Sequence, residues 1–311
     1  MRWRQLAAGI ATYLPFGRQL TGRRTGGTSS ARYCYSVWMR HLVRAREHGM
    51  DCQPKVVAEL GPGDSLGTGL CALLTGSDRY IALDVVPFAQ RGDNVAVLLE
   101  LVELIGQRAS IPGSSEFPEV KPFLDDYSFP EWLDTDGRLV DVLDDPRLRL
   151  MVDELQNGPG PTPVINYLVP WFDEVRGFQS TVDWIFSQAV LEHVDDLFQT
   201  YRAMHDLLRK GGVMTHQIDF RSHSTANAWD GHRAYSELSW KLIRGRRAYL
   251  LNRLPLSAHV QIMEQSGFRI VSVDRMILTP TVVRTRLATG LGVVTETDRE
   301  TSGAFVVAIK A

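Results

Sequence analysis

Glu59 stands two residues before Gly61 in the run Glu59-Leu60-Gly61-Pro62-Gly63-Asp64-Ser65, and Asp84 follows Gly63 by twenty-one residues. Two carboxylates around a glycine turn are what a ligand carrying a nucleoside requires. The glycines let backbone come close to the ligand, and an acidic residue roughly 20 positions on can accept the ribose hydroxyls. A dinucleotide site would read G-x-G-x-x-G. Here the third position is Leu66, and Gly67 comes one residue late. A carboxylate at Glu59 would repel a pyrophosphate, whereas it would attract an α-amino group or a sulfonium.

A second group of reactive side chains follows: Glu192, His193, His216, Asp219, His223 and His232. Asp219 and His223 are four residues apart, at or just beyond the end of a predicted strand, where open α/β sheets bind ligands. They form the best candidate for a carboxylate–imidazole base pair, with His193 as a third catalytic candidate. His216 sits earlier in the strand and reads as a packed core histidine. The same His and Asp residues have metal-binding chemistry, but their spacing matches no compact ligand motif, so no metal is expected.

The elements that must position these groups follow from hydrophobic periodicity. Val56-Val57-Ala58 predicts a strand ending on Glu59, and Tyr80 to Leu83 a second ending on Asp84, with a helix between. Further helices are predicted from a cap at Ser29 or Ser30 to His48, which Gly49 stops, and from Asp93 to Gln107. A long one is predicted from Ala189 to Arg209, ended by Gly211-Gly212. A short helix capped by Ser257 runs to Ser266. Strands are predicted at 164–169, 183–187, 213–220, 268–278 and 305–310. Strand alternating with helix predicts an α/β, doubly wound, mostly parallel seven-stranded sheet with an antiparallel final strand. Residues 1–50 read as a basic segment with a helical cap. Residues 51–311 read as one domain with insertions at about 108–162 and 221–256. In the first insertion, Asp144 or Asp145 caps a helix that begins at Pro146.

Composition narrows the setting. The 311 residues carry a formal net charge of −2, which gives no general attraction to polyanions. The cysteines, Cys34, Cys52 and Cys71, are odd in number with no C-x-x-C spacing, which suits a reducing, cytoplasmic compartment. No run reaches the roughly 20 apolar residues that span a bilayer. The basic start and the apolar stretch from Leu6 to Phe16 resemble a signal peptide, but Pro15-Phe16-Gly17-Arg18 is not a small-residue cleavage site. A domain cap is the preferred reading of that stretch, with a weak contact at a membrane surface as the other.

Four stretches carry a family resemblance: E-L-G-P-G at 59–63, A-L-D at 82–84, D-W-I-F-S-Q-A-V-L-E-H-V at 183–194 and L-L-R-K-G-G-V at 207–213. In that order they resemble the class I S-adenosylmethionine-dependent methyltransferases. The resemblance covers about 52–220 and the last two strands. It implies that Glu59, Gly61 and Gly63 line the methionine portion of S-adenosyl-L-methionine, that Asp84 holds its ribose, and that Ser187 and Gln188 border the cofactor near the transferred methyl. Ser65 departs from the pattern, standing where many members have a third glycine. The implied enzyme transfers a methyl group to a small-molecule or saccharide acceptor, a glycan precursor for example, with oxygen as the expected acceptor atom. D/N-P-P-Y/F, the mark of exocyclic-amine methylases of nucleic acids, is absent; the position reads Ser187-Gln188-Ala189-Val190, so no nucleic-acid partner is expected. An NAD(P)-dependent oxidoreductase and a non-catalytic binding scaffold of the same fold are the alternatives.

Overall fold

The structure, a computed structural model, describes residues 3–13, 27–134, 146–247 and 249–311. The capping aspartates at 144 and 145, and the segment 14–18 that argued against a signal peptide, lie outside the described residues. Seven strands form one sheet: β1 (Val56–Leu60), β2 (Arg79–Leu83), β3 (Ile165–Leu168), β4 (Val182–Gln188), β5 (Leu208–Asp219), β6 (Phe268–Ile277) and β7 (Thr301–Lys310). Their order is β3-β2-β1-β4-β5-β7-β6. The pairs from β3 through β5 are parallel, and β7 is antiparallel to both β5 and β6. The sheet is therefore the doubly wound, mostly parallel one expected, with its antiparallel strand last in sequence.

Both faces of the sheet are covered, which is why the inner strands read as near-continuous apolar runs. On one face lie α2 (Ala31–Glu47), α3 (Gly67–Leu74), α4 (Asn94–Gly106) and α5 (Pro146–Asn157). Trp38, Leu70, Leu101 and Met151 from these helices pack with Val57, Tyr80, Trp184 and Phe186 of the strands. On the other face, α6 (Trp171–Glu174), α7 (Leu197–Leu207) and α9 (Leu256–Gln265) bring Trp171, Tyr201, Met204 and Met263 against Ala58, Ile81, Ile185 and Met214. The chain winds one way from β1 to β2 and β3, then returns to β4 on the other side of β1. The resulting switch point, between the C-terminal ends of β1 and β4, is where sheets of this kind take ligands.

Helix α2 forms as predicted, with the Ser30 side chain accepting from the Tyr33 N–H. Its place differs from a cap on the domain edge. Tyr35, Trp38, Met39, Arg40 and His41 are all at most 1% exposed, and the helix shares the main core. The first insertion wraps around it. Residues 109–130 have no helix or strand, yet the Arg40 guanidinium donates to the carbonyls of Val120 (2.9 Å), Pro122 (2.8 Å) and Pro112 (2.9 Å). A planar fork of donors can satisfy several loop carbonyls that no regular structure would pair.

The long helix predicted from Ala189 is shorter than expected. Helix α7 begins only after Asp196, whose side chain caps it by accepting from Gln199 N–H. Ala189 has a left-handed backbone (φ 54), and Leu191–His193 is a separate 3-10 turn. At the other end Leu208 already pairs with Val182 in the sheet, so Arg209 to Gly212 bulge out of β5 instead of finishing the helix. Arg209 pairs with Asp183 there. Ser257 does not cap α9 either; its N–H and hydroxyl both donate to Asp298.

The second insertion holds α8 (Glu237–Arg244), and α1 (Trp3–Ala11) lies across it. The approach is close: a Cβ at Gly9 would stand 2.1 Å from the Leu242 carbonyl oxygen. Trp3, Ile10 and Tyr13 remain exposed. Among the described residues no helix is long and apolar enough to cross a membrane. The remaining helix, α10 (Glu296–Glu300), precedes β7 and starts with a Thr295–Asp298 capping box.

Candidate active site

The glycine turn leaves β1 with two left-handed residues, Gly61 (φ 70) and Gly63 (φ 79), a conformation glycine adopts without steric cost. Gly61 N–H donates to the Leu83 carbonyl at 2.8 Å, tying the turn to the end of β2. Above Gly61 sits Val190, from the turn after β4; a Cβ on Gly61 would lie 2.8 Å from its Cγ2. The turn leading into α2 braces the other side. Asp64 N–H donates to Thr28 Oγ1 (2.7 Å), and Ser65 Oγ contacts the Thr28 carbonyl. Ser65, in the place of a third glycine, thus has a structural partner of its own.

Asp84 ends β2 with its Oδ1 accepting from the N–H groups of Val85 (2.7 Å) and Val86 (3.3 Å). Among the described residues no such donor holds its Oδ2. Burial raises its pKa against the pull of those backbone donors.

Glu59 is placed differently from the expectation. Its side chain is 3% exposed and accepts from the Tyr80 hydroxyl at 2.5 Å. Burial pushes its pKa up to about 8, against opposing hydrogen bonds from Tyr80, Thr68 and the Gly69 N–H. Its direct contribution here is to hold β1, β2 and α3 together beneath the turn.

Ser187 and Gln188 reach the tip of β4, but their side chains turn inward. Ser187 Oγ lies 2.8 Å from His216 Nδ1, with both residues fully buried. His216 is thus the core histidine expected. Gln188 Oε1 lies 3.2 Å from His41 Nε2, and Gln188 Nε2 donates to the Lys121 carbonyl at 3.0 Å. With the amide so oriented, His41 Nε2 carries the proton and Nδ1 accepts from the Thr215 hydroxyl 2.8 Å away. Only the backbone of Ser187 and Gln188 is left to border a ligand.

The acceptor-side candidates do come together. His223 Nε2 lies 3.2 Å from Asp219 Oδ2. Arg221 grips the same carboxylate through Nε (3.0 Å to Oδ1) and Nη2 (2.7 Å to Oδ2), and reaches Glu119 through Nη1. Burial alone would raise the Asp219 pKa; the hydrogen bonds from His223 and Arg221 outweigh it and hold the group well below the usual carboxylate range. His223 and Ser224 both have left-handed backbones (φ 43 and 66), which fold the imidazole back over the end of β5. Strain at two consecutive non-glycine residues is typical of functional loops. The His193 ring stands 5.0 Å from that of His223, nearly perpendicular to it. His193 belongs to the 3-10 turn, not to the first turn of α7 as its spacing suggested.

Glu192 completes this cluster and was only one of several candidates in the sequence. The signal that singles it out is adjacency: it directly precedes His193 and follows Val190 by two residues. Asn252, which no sequence pattern marked, clamps the turn. Its N–H donates to the Glu192 carbonyl (2.8 Å), and its side-chain amide donates to the carbonyls of Leu191 (2.8 Å) and Val194 (3.0 Å). The turn after β4 therefore joins two regions: Val190 closes on the glycine loop, and Glu192 and His193 face Asp219 and His223.

The family model for a methyltransferase domain matches residues 133–215, from the end of the first insertion into β5. Over those residues the chain is similar to that methyltransferase family, and its sheet order is that of a doubly wound, mostly parallel α/β fold. Similar solved structures are distant. One is an S-adenosylmethionine-dependent methyltransferase from Mesorhizobium loti, 16% identical, with 91% of this chain and 100% of that one covered at a TM-score of 0.41. Another, from Methanosarcina mazei, is 11% identical over 85% of this chain and 96% of that one, at 0.43. A third is phosphoethanolamine N-methyltransferase 2 of Haemonchus contortus in complex with S-adenosyl-L-methionine. It is 14% identical over 90% of this chain and 57% of that one, at 0.42. No curated protein matches the sequence.

Proposed function

We propose that the chain binds S-adenosyl-L-methionine at the switch point between β1 and β4 and transfers its methyl group to an oxygen of a small-molecule or glycan-precursor acceptor. The observation that carries this reading is the turn after β4, where Val190 lies on Gly61 and Glu192-His193 lies against Asp219 and His223. One short segment thus borders both a cofactor loop and a proton-accepting cluster. In this reading the backbone of Gly61, Gly63, Ser187 and Gln188 lines the cofactor, Asp84 accepts from the ribose hydroxyls, and Glu59 supports the loop from below.

A methyl sulfonium is already a strong electrophile, so the protein's task is to align acceptor oxygen, methyl carbon and sulfur and to receive the hydroxyl proton. His223 is the group that receives it, oriented by Asp219, with His193 beside it. The exposed Trp3, Ile10 and Tyr13 on and just after α1 support a weak contact of this end with a membrane surface.

Calorimetric titration with S-adenosylhomocysteine and, separately, with NAD tests the cofactor. Binding of the first without the second is the expected result, and the reverse would replace this reading with an oxidoreductase. A panel of hydroxylated acceptors then tests transfer; cofactor binding with no turnover on any of them would favour a scaffold without catalysis.

A further inference from the structure

Glu192 is 2% exposed, and among the described residues neither of its carboxylate oxygens has a side-chain hydrogen-bond partner. Burying a carboxyl without partners is costly, so such a group in a site implies a ligand that supplies what the protein does not. Its surroundings say what kind. One donor atom each from Glu192, His193 and His223 can be chosen so that all lie within 4.8 Å of one another. His223 Nε2 is 4.0 Å from Glu192 Oε1.

The cluster is held in place from both sides. Asn252 fixes the turn that carries Glu192 and His193, and the left-handed backbone at His223 brings the third group across. Arg221, whose charge acts on Glu192, is committed to Asp219 and Glu119. Asp219 adds a second carboxylate beside His223. A cavity of about 10 Å³, the size of one small ion or water, opens alongside and is lined in part by Glu192, Asp219 and His232.

We infer that Glu192, His193 and His223 form a binding site for a divalent transition-metal cation of the zinc class. Two imidazoles and one carboxylate are a donor set suited to such ions, and three protein ligands leave coordination positions open for an oxygen ligand. The inference rests on reading this cluster as the acceptor side of the methyltransferase site. A cation held there would polarise an acceptor oxygen and make its hydroxyl more acidic, and with the cation bound His223 would serve as a ligand in place of the proton-receiving role it has without one. Sequence spacing concealed the site because its ligands follow β4 and β5, strands that are neighbours in the sheet but separated by α7 in the chain.

The test is titration of metal-free, full-length protein with Co²⁺, followed by its visible absorption bands, and with Zn²⁺ in competition with a chromophoric chelator. One equivalent is expected to bind, with affinity lowered at least about tenfold in Glu192→Gln and in His223→Gln, since each removes one ligand. S-adenosylhomocysteine affinity is measured on the same samples. Retained affinity shows that the variants are folded and separates the two readings. Wild-type protein that binds S-adenosylhomocysteine but no Co²⁺ overturns the cation site and leaves the cofactor reading standing. Co²⁺ bound without any S-adenosylhomocysteine does the opposite. Equal Co²⁺ binding by wild type and both variants would place the ion elsewhere and sink the inference. If Glu192→Gln does not fold, His223→Gln, whose side chain is 19% exposed, carries the comparison alone.

Discussion

Val190 fills the space directly above Gly61, so that a Cβ on the glycine would stand 2.8 Å from the valine Cγ2. The contact couples the turn after β1 to the turn after β4. Gly61→Ala has two faults: a left-handed backbone at φ 70 and a collision with a stiff, β-branched side chain. It is expected to cost about 1–3 kcal/mol of stability and to weaken S-adenosylhomocysteine binding more than tenfold. Adding Val190→Ala should recover part of the affinity by removing the collision. Calorimetry on the single and double variants reads both effects, and no recovery would mean that backbone conformation alone is at fault.

Asp84→Ala isolates the ribose assignment. Its Oδ1 is held by backbone while among the described residues Oδ2 lacks such a donor, which leaves one oxygen for the ligand. Removing a charged hydrogen-bond acceptor should cost about 1.5–3 kcal/mol of binding, a tenfold or larger loss. Unchanged affinity for S-adenosylhomocysteine would rule this role out.

Asp219→Asn and His223→Ala should separate chemistry from cofactor binding. General-base loss typically slows a reaction about 10²–10⁴-fold. Here kcat should fall by such a factor while S-adenosylhomocysteine affinity changes little. Wild-type turnover in both variants would remove the base from the mechanism.

Three fully buried histidines set an acid limit on stability. Burial lowers the pKa of His41 to about 4 and of His216 and His259 to about 3, with the hydrogen bond from His41 to Gln188 only partly opposing it. His41 faces Thr215, Gln188 and the rings of Phe186 and Phe305. His216 faces Ser187 and Tyr201, and His259 faces Tyr201 and Phe220. All three are neutral in the fold, while the unfolded chain takes up a proton on each near pH 6.5. Stability is therefore complete above that value and is lost as pH falls toward the folded values, by about 2 kcal/mol per ring at pH 5. Glu59, with its raised pKa, works in the opposite sense between about 4.5 and 8 and offsets roughly one and a half rings. Urea unfolding at pH 7.5 and 5 measures the net fall. His259→Gln should reduce it by one ring's share, and an identical pH response in that variant would remove His259 from the account.

The sheet was legible because periodicity reports burial. Val56 to Leu60 and Tyr80 to Leu83 are apolar throughout, as strands covered on both faces must be. Of the two serines read as a cap, Ser30 is the one whose side chain accepts from the backbone N–H three residues on. Periodicity misjudged Val190 and Val194. Their four-residue spacing looks helical, but a left-handed Ala189 breaks the segment, and Val190 is apolar because it covers Gly61.

What the amino-acid order determined by itself is the alternation of strand and helix, the glycine turn, and the acidic ends of β1 and β2, since each depends on neighbours only a few residues away. Tertiary structure alone decided where those side chains point. Glu59 turns to Tyr80, Ser187 to His216 and Gln188 to His41, because partners from distant elements meet them in the core. It also brought Glu192 and His193 against Asp219 and His223. Those pairs are far apart in the chain, and only the adjacency of β4 and β5 joins them.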